Sequence, residues 1–500
     1  MNLAAILEDS ARFFPDNVAI IEDGSTYTYR EFNDYSNRIA SAISDFGIRS
    51  GEHVGFCAPN SYDWLAFYFA TLKCGAVAVT FSYHLTQDEF KKIMFDCKPR
   101  ILFTTTSRLP DLDCIDSKCH PELIITEDGD NSCGILAEKG SPSFETIDRD
   151  RHDIAAILYT GGTTGIPKGA MLSHENIMFP ISNVARYERS SEKDVVLCFL
   201  PLNHVFGQMH VVNATIHSTG GIVIQSSFNM DMALDAISRY KVTKFFAVPT
   251  IYIRMLQIPD IKEKFKSVTY CFSAAASMAA EVVKEWKART GLNIYESYGL
   301  TESASIVTFN HYHRHVIGSV GTPANLMEIQ IRDRSGKRLE QGKAGEICIR
   351  GLNIFKGYLN NPEETARSFW GDWFRSGDVG YIDEEGYIFI IDRLKDMVIT
   401  GGENVYPREV EEVLYTYCDV QECAVTGLPD VEYGERVTAF IVLRNGCTLD
   451  PAAIKQYLKE HLAGYKVPKE YIVMDELPKS AAGKVLKREL KNGYTGITLK

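Results

Sequence analysis

The segment Tyr159-Thr160-Gly161-Gly162-Thr163-Thr164-Gly165-Ile166-Pro167-Lys168-Gly169 gathers four glycines, three threonines and a lysine. It follows the short apolar run Ile154-Ala155-Ala156-Ile157-Leu158, which reads as a strand. Glycines let backbone amides approach an anion closely, hydroxyls donate at a phosphate and an ammonium neutralises charge. That set suits the gripping of a polyphosphate. It is not a Walker A loop, because no Gly-Lys-Ser/Thr follows the first glycine at the required distance. Standing alone, the segment would read equally well as a glycine-rich turn between strands. Further along lie an acid after a glycine turn (Glu302), a second acid beside Gly377 (Asp378), a histidine after Pro-Leu-Asn (His204) and a late Gly-Lys (Gly483-Lys484). An aspartate of this kind can accept two hydrogen bonds from a vicinal diol.

The glycine segment resembles the phosphate loop of the adenylate-forming superfamily, which includes acyl-CoA synthetases, with Gly161 where a serine is usual. The resemblance runs from about residue 10 to about residue 488 and rests on motifs in a fixed order. Tyr298-Gly299-Leu300-Thr301-Glu302 is similar to the family's Tyr-Gly-x-Thr-Glu. It implies that Thr301 contacts phosphate, Glu302 (with Thr164) holds Mg2+, and Tyr298 and Gly299 border the adenine. One protein carboxylate suffices for Mg2+, which completes its shell with phosphate and water. Asp378 and Arg393 match the residues that hold the ribose. Pro201-Leu202-Asn203-His204-Val205-Phe206-Gly207 resembles the motif beside the incoming carboxylate. No acid stands next to His204 to pair with an ammonium, so the resemblance implies an acid without an α-amino group. Ala275 and Ala276 occupy the usual Gly-Gly-Ala-Pro loop by the adenine and the acyl pocket. Pro478-Lys479-Ser480-Ala481-Ala482-Gly483-Lys484 resembles the C-terminal loop whose lysine serves adenylation.

What the resemblance implies is an ATP-dependent acid-thiol ligase using ATP, Mg2+ and coenzyme A. Thr160, Gly161, Gly162, Thr163, Thr164 and Gly165 would cradle the phosphates, and Lys168, His204 and Lys484 would be catalytic. The small domain would turn about Lys395, presenting Gly401, Gly402 and Glu403 to the pantetheine of CoA. The expected substrate is a hydrophobic carboxylic acid, a medium- or long-chain fatty acid, with an aryl acid as the alternative. A ligase loading an acyl carrier protein is a further alternative.

Elements must position these groups. Apolar spacing predicts helices over residues 3–14, 30–46 and 62–74, and strands over 17–22, 25–29, 54–58 and 76–81. A second alternating block has strands near 195–200, 221–225 and 244–248, with helices beginning near Val205, Met230 and Thr250. Alternation of strand and helix predicts an α/β fold with doubly wound parallel sheets. Residues 104–143 read as an irregular exposed connection, and 318–351 as a small barrel. The boundary at Ile391-Asp392-Arg393-Leu394-Lys395-Asp396 divides a domain of residues 1–394 from a small mobile α+β domain of 395–500. The tail from Gly493 has no assigned role.

With 500 residues, 45% apolar and 24% charged, the composition is that of a soluble globular protein. A net charge of -12 argues against nucleic acid or an anionic membrane as a general partner. Twelve singly scattered cysteines fit buried thiols in a reducing compartment. With no signal peptide and no apolar run of membrane-spanning length, the cytoplasm is the expected location. His311, His313 and His315 read as surface residues.

Overall fold

A computed structural model describes residues 1–160, 167–480 and 483–494 of the chain. Its first sheet has six strands, in the order Leu123–Thr126, Ile101–Thr104, His53–Cys57, Val77–Thr80, β1 (Ile154–Thr160) and β2 (Lys168–Ser173). All neighbours are parallel except β1 and β2, a hairpin with Thr160 opposite Lys168. The glycine segment is therefore the connection of that hairpin, and residues 161–166 lie outside the described residues.

The second sheet has seven strands: Ser25–Thr28, Val18–Glu22, Gly221–Ile224, Val195–Cys198, β3 (Lys244–Ala247), β4 (Tyr270–Ser273) and β5 (Ile294–Glu296). Only the first pair is antiparallel, and Ile20 stands opposite Ile222. The helix Tyr62–Lys73 is buried along almost its whole length between the two sheets. Trp64 packs on Phe56 of the first sheet, while Tyr68 accepts a hydrogen bond from Asn213 on the side of the second. An element apolar on every face has to be a core element. Thr28, Thr86 and Ser173 open their helices with reciprocal capping boxes.

The stretch expected as a small barrel belongs to an antiparallel sheet of five strands that reaches well beyond it. Glu328–Arg332, Gly345–Arg350, Phe369–Trp370, β6 (Trp373–Ile382) and β7 (Ile388–Arg393) make it up. Residues 104–143, expected to be irregular, contain the edge strand Leu123–Thr126 and short helices. The Leu-Ile-Ile run was the available signal, and the polar residues around it hid it.

Past Val398 the chain forms a sheet of five short and long strands, carrying the helices α1 (Pro407–Tyr415) and α2 (Pro451–His461). The apolar core of the large unit ends at Ile388 and that of the small unit starts at Val398, on either side of the expected boundary. All twelve cysteines are free, and the described residues hold no group of three metal-ligating side chains. Among them no helix is long and apolar enough to cross a membrane.

One ion pair fastens the N-terminal helix to the core. The fully buried Lys73 ammonium lies 2.7 Å from Glu8 Oε1 and 3.0 Å from Asn33 Oδ1. Glu8→Ala should therefore destabilise the large unit by about 3 kcal/mol, since it strands a buried charge. The expected readout is a lower urea midpoint, with a milder shift for Lys73→Met/Glu8→Ala.

Candidate active site

The ends of β1 and β2 place Thr160 and Lys168 side by side, with Thr160 Oγ1 3.5 Å from the Lys168 carbonyl. Gly161, Gly162, Thr163, Thr164 and Gly165, with their expected phosphate contacts, lie outside the described residues. Lys168 Nζ pairs with the Glu364 carboxylate and stands 5.3 Å above the Tyr358 ring. Tyr358 Oη in turn donates to Glu302 Oε1 at 2.7 Å. The lysine after the glycine segment is thus linked through one aromatic ring to the carboxylate expected to hold Mg2+. Glu302 is half-buried, with one oxygen oriented by Tyr358. A pinned hard-oxygen donor of this kind fits Mg2+, which keeps most of its shell for water and phosphate.

Glu302 is aimed by a sharp turn. A side chain at Gly299 would place Cβ 1.4 Å from the Ser305 carbonyl oxygen, so only glycine fits there. Thr301 starts the short 3-10 turn Thr301–Ser303, and the chain reverses through Ala304 at φ 49°. A second demanding position is Ala275, at φ 71° on the loop leaving β4. The family loop has glycine in this region, and here the alanine carries a left-handed backbone costing about 1–2 kcal/mol. Ala276 beside it is exposed.

Asp378 on β6 faces Arg393 on β7 in register. Its carboxylate is buried, accepts from Tyr298 Oη at 2.6 Å and pairs with Arg393 Nε at 3.1 Å. Each oxygen keeps a lone pair for a diol. Tyr298, expected beside the adenine, is thus fixed at its hydroxyl end by Asp378.

The small unit delivers Lys484 to this group. Ser480 holds the loop, with Ser480 N–H donating to the Lys484 carbonyl at 2.8 Å and Ser480 Oγ accepting from Lys484 N–H at 3.2 Å. Gly483 adopts φ 77° and touches the large unit: a Cβ there would lie 2.6 Å from Val248 Cγ2. Thr250 Oγ1 also donates to the Gly483 carbonyl at 3.4 Å. Burial lowers the Lys484 ammonium to about 8, aided by repulsion from Arg393 and Lys395 and opposed by Asp378 and Asp396. Lys395 is lowered too, first by desolvation, then by Arg393, with Lys168 adding to the effect. Arg393 is held above its ordinary value: burial works against it, and Asp378 and Tyr298 more than compensate. Cations from both units therefore share one field.

His204 closes the other side. Burial, then the charge of Lys484, lowers it to about 4, so the ring is neutral. Its Nδ1 accepts from Phe206 N–H at 3.2 Å, which leaves the ring proton on Nε2 as a donor. Gly401, Gly402 and Glu403 lie exposed on a hairpin of the small unit, where Gly401 N–H bonds to the Tyr433 carbonyl. They take no part in the cluster around Lys484 in this arrangement. His313 is exposed as expected, whereas His311 and His315 are half-buried, His311 bonded to Thr322 Oγ1 at 2.8 Å and His315 with its Nε2 atom buried.

Residues 7–359 match the AMP-binding enzyme family, and residues 409–484 match the AMP-binding enzyme C-terminal domain. The chain belongs to the AMP-binding enzyme family. A long-chain-fatty-acid–CoA ligase of Bacillus subtilis (strain 168) is 33% identical, over 98% of this chain and 94% of that protein. A feruloyl-CoA synthase of Amycolatopsis sp is 32% identical, over 97% of each. ATP-bound MatB from Rhodopseudomonas palustris is 35% identical, covers 99% of both chains and superposes with a TM-score of 0.93. The apo form of MatB gives 0.82 over the same coverage. This AMP-binding enzyme is thus an acid-thiol ligase that uses ATP, Mg2+ and CoA.

Tyr358, Glu364, Val248 and Thr250 were not anticipated from sequence. Each acts through a partner more than a hundred residues away or through an ordinary-looking motif, and no local pattern marks them. Gly483→Ala should push the loop off Val248. Fluorescent labels on the two units should then report a wider separation with ATP present than in the parent protein, with no change in the urea midpoint of the large unit.

Proposed function

We propose that this enzyme activates a hydrophobic carboxylic acid as its acyl adenylate and then transfers the acyl group to CoA, releasing AMP and pyrophosphate. The observation that carries this reading is the placement of Lys484, from one unit, against His204, Arg393 and Asp378 of the other.

A carboxylate and an α-phosphate repel each other as they meet. Lys484 offsets that repulsion with a compact positive charge at the colliding oxygens. Neutral His204 offers its Nε2 proton to the carboxylate and orients it without supplying charge. Asp378 and Arg393 hold the ribose, with Tyr298 fixing the carboxylate. Lys168 and the glycine segment of residues 160–165 hold the β- and γ-phosphates, and Glu302, with Thr164, holds Mg2+, which supplies charge neutralisation there. Ala275 and Ala276 shape the adenine and acyl wall.

Once adenylate has formed, Lys484 has to leave for a thiol to enter. Rotation of residues 395–500 about Lys395 achieves this and brings the exposed Gly401, Gly402 and Glu403 to the pantetheine arm. The sulfur attacks the acyl carbon, and AMP leaves with the carboxyl oxygen it was joined to.

As to the acid, a medium- or long-chain fatty acid is our first reading, favoured by the similarity to the Bacillus subtilis ligase. An aryl acid is the second, favoured by the similarity to the feruloyl-CoA synthase of Amycolatopsis sp.

Separately assayed half-reactions test the scheme. Lys484→Ala should lose about 3 kcal/mol in adenylation, on the order of a hundredfold in rate, yet still form thioester from supplied acyl adenylate. Adenylation needs the charged lysine, so kcat/KM should fall as pH rises through about 8. In Lys484→Arg that limb should move to higher pH. Lys395→Pro should cripple thioester formation more than adenylate formation, and equal losses would refute the hinge.

A further inference from the structure

An acid in the last turn of a helix stands at the negative end of the helix dipole, where a base is the favoured residue. The helix Gln87–Cys97 ends against that rule, with Asp96 in its last turn and no basic residue there. Both carboxylate oxygens are nevertheless in use. Oδ2 accepts from Tyr159 Oη at 2.6 Å, and Oδ1 accepts from Asn360 Nδ2 at 3.0 Å. The same Asn360 amide donates to the Asp96 main-chain carbonyl at 2.9 Å, one of the four at a helix end that have no partner within the helix. Asp96 is half-buried, and its two partners lie 63 and 264 residues further along the chain. A solvated surface acid has no reason to collect donors from so far.

Each partner adjoins a group assigned above to the polyphosphate or to Mg2+. Tyr159 directly precedes Thr160 at the end of β1. Its ring lies across the hairpin: a Cβ on Gly169 of β2, next to Lys168, would sit 3.2 Å from Tyr159 Cζ. Burial, reinforced by Cys97 and Asp96, holds the Tyr159 hydroxyl above its ordinary pKa, so it remains a donor. On the other side, residues 356–359 run along the outer edge of β2. Leu359 N–H donates to the Gly169 carbonyl at 2.8 Å and Lys356 N–H to the Met171 carbonyl at 2.9 Å. That segment carries Tyr358, which orients Glu302. Past Asn360, whose backbone is left-handed at φ 51°, the short helix Pro362–Arg367 carries Glu364, the partner of Lys168. One carboxylate therefore clasps the strand end before Thr160 to the turn between Tyr358 and Glu364.

We infer that Asp96 is a positioning residue for the polyphosphate end of the site, clasping the Tyr159 strand end to the Asn360 turn so that Thr160, Lys168 and Glu302 keep a fixed spacing. It acts through Tyr159 and Asn360. The inference rests on the assignment, proposed above, of those three groups to the β- and γ-phosphates and Mg2+. Two donors on two oxygens fix the plane of the carboxylate as well as its place, which one bond would not do. Misplacement of a binding group by about 1 Å is enough to cost a large factor. The ribose contacts, Asp378 and Arg393, stand on β6 and β7, outside the clasp. Loss of Asp96 should therefore be felt at one end of the nucleotide and not at the other.

Binding isotherms of the full chain test this without knowledge of the acid. The two probes are the Mg2+ complex of α,β-methylene-ATP, whose α–β link cannot be cleaved, and AMP, which lacks the outer phosphates. Asp96→Ala should raise Kd for the Mg2+ analogue tenfold or more and change that for AMP less than twofold. Asp96→Asn keeps one acceptor oxygen for two donors and should fall between the parent and Asp96→Ala. Tyr159→Phe removes a single hydroxyl, so it carries the test even where Asp96→Ala does not fold, and should raise the same ratio threefold or more. Asp96→Ala/Tyr159→Phe should be no worse than Asp96→Ala, because the two changes remove one bond in common. Parallel losses for both nucleotides would make Asp96 a residue of the fold alone and overturn the clasp. Unchanged affinity for the Mg2+ analogue in Tyr159→Phe and both Asp96 variants would overturn it too, in each case leaving the ligase intact. A parent protein that binds neither nucleotide would remove the ligase reading and the clasp with it.

Discussion

Like charges brought together at a buried boundary govern this enzyme. Lys168, Arg393, Lys395 and Lys484 influence one another across the junction of two units, with Asp378 and Asp396 as partial counterweights. Such a cluster is unfavourable until an anion enters, because desolvation strengthens repulsion as much as attraction. The free energy of gathering the cations is then recovered by the polyphosphate. On the proposed scheme, ligand and domain arrangement would be coupled by electrostatics, in both directions. The closer agreement with ATP-bound MatB than with its apo form fits this coupling.

Around the cations, tyrosines act as spacers of fixed length. Tyr298 holds Asp378, and Tyr358 holds Glu302 while its ring lies under Lys168. Each hydroxyl orients an acid without neutralising it. A lysine or arginine in place of Tyr358 would instead neutralise Glu302. The neutral state of His204 follows a similar logic: a second cation beside Lys484 would compete for the same oxygens.

The sequence carried the order of the motifs and the alternation of strands and helices, because these are local properties. Asp378 opposite Arg393, and Lys484 brought to the large unit, followed from motif resemblance and are consistent with the geometry. What could not be read were the pairings between distant ordinary residues, such as Tyr358 with Glu302 and Gly483 against Val248. The edge strand Leu123–Thr126 was missed because three apolar residues in a polar stretch carry no periodicity. The sheet ending at Arg393 was read as a smaller barrel, since strand pairing order is not written in alternation. Asp96 was passed over altogether. Nothing adjacent in sequence signals that Asn360, 264 residues later, would bond to it.

The edge hairpin of the second sheet has a consequence for biosynthesis. Val18–Glu22 is emitted early, yet its parallel neighbour Gly221–Ile224 leaves the ribosome some two hundred residues later. Meanwhile the whole first sheet, residues 53–173, has been synthesised. The hairpin must wait with one edge of Val18–Glu22 open, and that edge is exposed to misassembly for that interval. Long-range parallel pairing of this sort is intrinsically slow. Shielding of that open edge during translation should then raise the yield of folded protein, with chaperone supply the natural lever on it.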